Sequence, residues 1–173
     1  MKQNVLSLNM ICNRLIESTL GNILLSSSGD FITRIHFAGD EEIEISQSNH
    51  PVLLEAEKQL EHYFSGDLKE FTIPLAPAGT VFQQKVWQLL LQIPFGVTCS
   101  YQELALRYGD LLSIRAIASA NGKNPLAIVI PCHRVIGSDG SLTGYAGGLD
   151  RKKWLLAHEG VPVFRQTALF SPF

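Results

Sequence analysis

No stretch of the 173-residue chain approaches the roughly 20 consecutive apolar residues of a membrane-spanning helix. There is no CxxC pair, and the three cysteines, Cys12, Cys99 and Cys132, are odd in number and far apart. That pattern suggests neither a disulfide framework nor a cysteine-built zinc site. A reducing cytoplasm is the expected setting. The start, Met1-Lys2-Gln3-Asn4, has too short an apolar patch before Asn9 for a signal peptide. Internal repeats and low-complexity tracts are also missing. Charge is sparse: 17% of residues are charged, with a net charge of −2.

That small net charge hides an asymmetry. Residues 1–80 hold 5 Lys/Arg and 11 Asp/Glu, whereas residues 81–173 hold 9 Lys/Arg and 5 Asp/Glu. A basic second half hints at a polyanionic partner, although chance partition of solvated charges accounts for so modest an excess equally well.

The first half reads as strands followed by a helix. Leu15–Leu20 and Ile23–Ser27 flank a Gly21-Asn22 hairpin turn, and Phe31–Phe37 alternates as a third strand. An acidic loop, Asp40 to Glu44, precedes a helix with Pro51 in its first turn. Leu53, Ala56, Leu60, Tyr63 and Phe64 form its apolar face, and Gly66 ends it. Residues 71–79, with Pro74 and Pro77, read as a linker, dividing the chain into 1–78 and 79–173.

The second half is mostly helical. Thr80-Val81-Phe82-Gln83 and Ser100-Tyr101-Gln102-Glu103 are capping boxes. The second opens a short helix ending near Tyr108-Gly109, and Ser113 to Ala120 reads as another, closed by Asn121-Gly122. Together they are a helix-turn-helix candidate, with an ordinary helical hairpin as the alternative. The apolar run Leu126–Ile130 predicts a buried strand delivering Pro131-Cys132-His133-Arg134. Gly144-Tyr145-Ala146-Gly147-Gly148 predicts a flexible loop, and Asp150 a cap for a last helix, Arg151 to Glu159.

Cys132 is the sharpest chemical candidate. A thiol attacks as thiolate, so a neighbouring imidazole must take its proton and a carboxylate must orient that imidazole. His133 and Glu159 suit these parts, with His158 a second possible base. Glu159 sits in the last turn of its helix, where the helix dipole disfavours an anion. Alternatively, Cys132 is a small buried hydrophobe with His133 pointing away. Asn124 is either a plain turn residue or a brace for the Cys132 backbone. Tyr101, Tyr145 and Arg115 have no assignable role from these arguments.

Pro131-Cys132-His133-Arg134-Val135 resembles the signature of the O6-alkylguanine-DNA alkyltransferases. The likeness runs continuously from about residue 79 to 162 in ordered blocks. These are Gly79–Gln83 with Val86-Trp87, Ile93–Gly96 with Ser100-Tyr101, Arg115-Ala116, Asn121–Pro125, Gly144–Gly148 and Leu155–Gly160. Residues 1–75 match only in length and element order.

The resemblance implies an α+β fold: a small ribonuclease H-like strand–helix domain followed by a winged-helix alkyltransferase domain. It implies DNA repair by stoichiometric, irreversible transfer of an alkyl group from O6-alkylguanine to Cys132, and leaves open O4-alkylthymine as a further substrate. His133 resembles the base, acting through a bound water, with Glu159 behind it, and Asn124 the hinge bracing the active-site turn. Tyr101 resembles the phenol donating to the leaving guanine, and Arg115 the finger replacing a flipped nucleotide. Tyr145, Ala146 and the signature's Val135 belong to the substrate-binding set, with Ala116 on a recognition helix whose small residues suit a minor groove about 6 Å wide.

The implied partner is double-stranded DNA, bound by a monomer that uses no cofactor and no metal. A binding-only module and a cysteine hydrolase are the alternatives. Ala118 departs from the family's frequent glycine, Cys99 beside the Ser-Tyr pair is unusual, and the first half lacks the zinc-ligand cluster of some relatives.

Overall fold

The computed structural model describes residues 10–39 and 47–162. The acidic loop expected at 40–44 lies outside the described residues. Three antiparallel strands come first, β1 (Ile11–Ile16), β2 (Ile23–Ser28) and β3 (Phe31–Phe37), paired in that order. β1 ends earlier than its apolar residues predict. The turn already begins at Ser18, whose carbonyl accepts from Gly21 N and whose hydroxyl donates to the Gly21 carbonyl. Gly21 itself, at φ 99°, takes the left-handed conformation that the turn requires. α1 (Pro51–Ser65) lays Leu53, Ala56, Leu60 and Tyr63 on the sheet, and Gly66 closes it at φ 87°.

The second half opens with α2 (Val81–Leu91). Both halves of its expected capping box are formed, Thr80 Oγ1 accepting from Gln83 N and the Gln83 side chain accepting from Thr80 N. The same reciprocal pair, Ser100 with Glu103, starts α3 (Tyr101–Tyr108). A 3₁₀ turn (Leu111–Ser113) then leads into α4 (Ile114–Gly122). It forms because Asp110 caps Leu112 N and delays the α-helix by a residue. The pair α3–α4 is the expected helix-turn-helix. Trp87 Nε1 donates to the Ala120 carbonyl at 2.9 Å and so pins α4 onto α2. Two residues of β4 (Cys99–Ser100) pair in parallel with β5 (Val135–Ile136). α5 (Leu149–His158) closes the fold. It begins at Leu149 rather than Arg151, and Asp150 makes no capping bond, because Gly148 at φ 88° already turns the chain into the helix.

The predicted strand at Leu126–Ile130 is the main correction. Only Leu126 makes a ladder contact, a bridge to Ile35 of β3. Beyond it the chain turns, Val129 N reaching back to Ala127 O and Ile130 N to Leu126 O. Ile128 takes φ 71°, the one non-glycine residue at positive φ among the described residues. A β-branched side chain there costs about 1–2 kcal/mol. Its burial at 1% exposure offsets that. An apolar run of five reads alike as a buried strand or a buried turn, which is why periodicity did not separate them.

The two halves share one core. β3 grips the second half by main-chain bonds: Ile35 N to Pro125 O, and Ala127 N to Ile35 O, at 2.8 and 2.9 Å. It grips the linker in the same way, through Ile32 N to Pro74 O and Ala76 N to Ile32 O. Replacing Trp87 by Phe removes the donor to Ala120 and part of a buried ring. Urea denaturation of Trp87→Phe is expected to show a loss of about 2–3 kcal/mol.

Candidate active site

Cys132 begins a 3₁₀ turn, Cys132–Arg134, that the fold buries completely. Cys132 is 4% exposed, His133 0% and Glu159 5%. The turn is held from outside: Asn124 Nδ2 donates to the Ile130 carbonyl at 2.8 Å and to Cys132 Sγ at 3.1 Å, while Asn124 Oδ1 accepts from Leu126 N. Asn124 therefore ties both ends of the 126–130 turn and touches the sulfur, more than a plain turn residue does. Burial pushes the Cys132 thiol above its ordinary pKa. The Asn124 amide, the Lys152 charge and the main-chain N–H groups of Cys132 and His133 oppose that rise.

His133 does not point away. Its Nε2 lies 2.8 Å from Glu159 Oε1. Glu159 is the convergence point of the site. Arg134 donates Nε to Oε2 at 2.8 Å and Nη2 to Oε1 at 3.0 Å, Gly96 N donates to Oε2, and the Tyr63 hydroxyl donates to Oε1 at 2.8 Å. Burial alone would raise the carboxyl pKa, but the bonds from His133 and Arg134 outweigh it and hold Glu159 down at about 2. An ionised Glu159 accepts only, so His133 carries its proton on Nε2. That leaves Nδ1 as the basic nitrogen, buried and without a partner among the described residues. Burial pushes the His133 pKa below its ordinary value despite Glu159, so the imidazole is neutral and ready to accept a proton.

A cavity of about 550 Å³ opens beside this buried core, within the range of small-molecule sites. Tyr101, Arg115, Tyr145 and Ala146 line it, joined by Asn121 and Thr143. Asn121, one of the lining residues, donates to the Cys132 carbonyl at 3.5 Å, which sets the cysteine behind this wall. Burial raises the pKa of the Tyr101 and Tyr145 phenols, and charge on Cys132 raises both further. Arg115 and Ala116 are exposed on α4. Val135 is not part of the lining: its side chain is fully buried and its carbonyl accepts from Lys152 Nζ at 2.6 Å. His158, the second possible base, is occupied elsewhere, stacked on Trp154 and bonded to the Tyr63 carbonyl.

Sequence reasoning missed three groups. Arg134 binds Glu159 and also the Ile93 carbonyl. Lys152, fully buried, donates to the Val135 and Thr143 carbonyls, and burial lowers its pKa to about 8. Tyr63 reaches in from α1. A lysine on the apolar side of α5 was the one visible signal. Among the described residues no cluster of His, Cys, Asp or Glu could hold a metal ion. Cys99 is a buried thiol in β4 donating to its neighbour's carbonyl, and burial raises its pKa, so it is placed as a packing residue.

A cysteine braced by an amide, backed by a histidine–carboxylate pair and set behind a cleft beside a helix-turn-helix, defines a thiol group-transfer protein. Family models sharpen this. Residues 81–161 match the 6-O-methylguanine DNA methyltransferase DNA-binding domain, and residues 11–77 match its ribonuclease-like domain. The chain is 47% identical over 150 residues to the methylated-DNA–protein-cysteine methyltransferase of Methanosarcina acetivorans, covering 84% of this chain and 96% of that one. It is 44% identical to the Mycobacterium leprae protein of the same name over 94% of this chain and 100% of that one. The crystal structure of Mycobacterium tuberculosis O6-methylguanine methyltransferase superposes with a TM-score of 0.79 at 42% identity, covering 87% and 93% of the two chains. The same organism's protein in complex with DNA gives 0.77 at 43% identity, covering 85% and 91%. The chain belongs to the O6-methylguanine-DNA methyltransferase family, with the α+β, winged-helix fold expected for it.

The Glu159 carboxylate has a folded-state pKa below its unfolded one. Its stabilisation is therefore present above about pH 4.5 and is lost as pH falls towards about 2. Glu159→Gln leaves the Arg134 charge buried and unpaired. Denaturation followed from pH 7 down to pH 2 is expected to show the variant about 3 kcal/mol less stable at pH 7, with a flattened acid limb.

Proposed function

We propose that the protein repairs DNA by moving the alkyl group of O6-alkylguanine onto Cys132, once per molecule. The observation that carries this reading is the buried chain Asn124–Cys132 and His133–Glu159 lying behind a cleft lined by Tyr101, Arg115 and Tyr145. The homologues' names, and a relative solved on DNA, support it.

The O6 substituent lies on the major-groove edge of the base, so a buried sulfur approaching from the minor groove meets it only if the nucleotide is extruded. Arg115, exposed on α4 at the mouth of the cleft, is the candidate to fill the gap it leaves. α4 presents Arg115, Ala116 and Ser119 outward, a small-residue face that suits a minor groove. Affinity rests on phosphate contacts and so falls as salt rises.

In the transfer, the thiol proton passes towards His133 Nδ1 through a bound water. Nascent imidazolium is stabilised by ionised Glu159. Cys132 Sγ attacks the alkyl carbon, the S–C bond forms, and the C–O6 bond breaks with its electron pair staying on the guanine. Tyr101, its phenol kept protonated by burial, is placed to hydrogen-bond that base, and the proton guanine finally gains balances the one the thiol gave up to His133. The product thioether has no good leaving group, so the site is spent. We place the division between a supporting unit, 1–78, and the DNA-binding, alkyl-accepting unit, 79–173. The setting is the reducing cytoplasm, in keeping with three free thiols, and the protein acts as a monomer.

Incubation with DNA carrying O6-methylguanine is expected to add one methyl per molecule, mapped by mass to Cys132. Label at another residue, or none on folded protein, would overturn the proposal. Arg115→Ala is expected to slow repair of duplex DNA at least tenfold while barely changing the reaction with free O6-benzylguanine. Equal losses on both substrates would remove the finger role.

A further inference from the structure

We infer that Tyr63, supplied by α1 of the first half, is a positioning residue of this site: its hydroxyl shares Glu159 Oε1 with His133 and thereby limits how basic His133 becomes. The inference rests on the reading of His133 as the base.

Tyr63 lies 96 residues from Glu159 in sequence and is fully buried. Its ring is fixed on several sides. Phe64, Phe71 and Phe95 surround it with centroids 5.6, 5.5 and 6.1 Å away, and His158 both packs edge-on at 5.1 Å and bonds its carbonyl. The hydroxyl is thus held at one place. Burial, with the Glu159 charge beside it, raises the phenol pKa far above its ordinary value, so Tyr63 stays a donor wherever the protein is folded.

Three donors converge on Oε1: Tyr63 and His133 at 2.8 Å each and Arg134 Nη2 at 3.0 Å. Two more, Arg134 Nε and Gly96 N, occupy Oε2. A carboxylate offers about four lone-pair sites. Five donors therefore compete, and each draws negative charge away from the bond to His133. The other charged or titratable groups facing the pair are Lys152 from α5, Tyr145 from the glycine loop with its ring 6.5 Å from His133, and Cys132 itself. None of these replaces Tyr63 on Oε1.

The sign follows. Ionised Glu159 raises the proton affinity of His133. Removing the Tyr63 hydroxyl leaves more charge on Oε1 for the imidazolium, so His133 titrates at higher pH. A histidine that is already protonated cannot take the thiol proton, so the loss appears where the acid limb begins. The carboxylate, with one anchor fewer, also orients the ring less firmly.

The test compares wild type with Tyr63→Phe, which keeps the packed ring. His133 is titrated by NMR, and the reaction of Cys132 with O6-benzylguanine is timed across pH. The expected result is a His133 titration moved up by about one pH unit, the worth of one hydrogen bond to a charged group, with the acid limb of the rate profile moved the same way and transfer on that limb about tenfold slower. Incorporating 3-fluorotyrosine at position 63, a stronger donor, is expected to move the His133 titration the other way. This serves as the deciding variant if Tyr63→Phe does not fold. A His133 titration that the tested substitution leaves unchanged overturns the inference. Wild type that never labels Cys132 instead defeats the proposed function, while the NMR titration still decides whether Tyr63 tunes His133.

Discussion

A single buried carboxylate holds the chemical centre together. Glu159 takes hydrogen bonds from the active-site turn through His133 and Arg134, from the end of α2's loop through Gly96, and from the first half through Tyr63. An unpaired charge at that depth would cost several kcal/mol. The arrangement is tolerable because every donor is in place at once. The orientation of His133, the burial of Arg134 and the seating of α1 against α5 are therefore not separate features. They are conditions of one ion being stable away from water.

The close approach of Gly96 follows from the same constraint. A side chain at Gly96 would bring a Cβ within 2.8 Å of the Glu159 main-chain carbonyl, and the residue sits at φ 75°. Glycine is required there for both reasons. The Pro94-Phe95-Gly96 stop after α2 thus does more than end a helix: it lets a main-chain N–H reach the carboxylate.

Much of this was legible in the sequence, and what was not has physical causes. The capping boxes at Thr80 and Ser100 were readable because a cap is written within four consecutive residues. Glu159 stood out because it breaks a local rule at a helix end. Leu126–Ile130 misled because apolar content reports burial and not backbone shape, and nothing in the letters shows an isoleucine at positive φ. Arg134 and Tyr63 went unassigned because their roles depend on a partner 25 and 96 residues away. Val135 was grouped with the cleft through its place in the signature, yet strand alternation turns its side chain into the core. Cys132 was visible; the scaffold that orients His133 beside it was not.

Lys152 fastens the cleft's outer loop through the main-chain carbonyls of Val135 and Thr143, with the more distant Gly144 carbonyl nearby at 3.5 Å. None of these bonds uses a side chain of the loop. The path of this loop is thereby set through its main chain, so the side chain of Ala146, which lines the cleft, takes no part in these bonds. A wall residue there can be exchanged without breaking a bond that Lys152 makes, while Cys132 and His133 keep the braces supplied by Asn124 and Glu159.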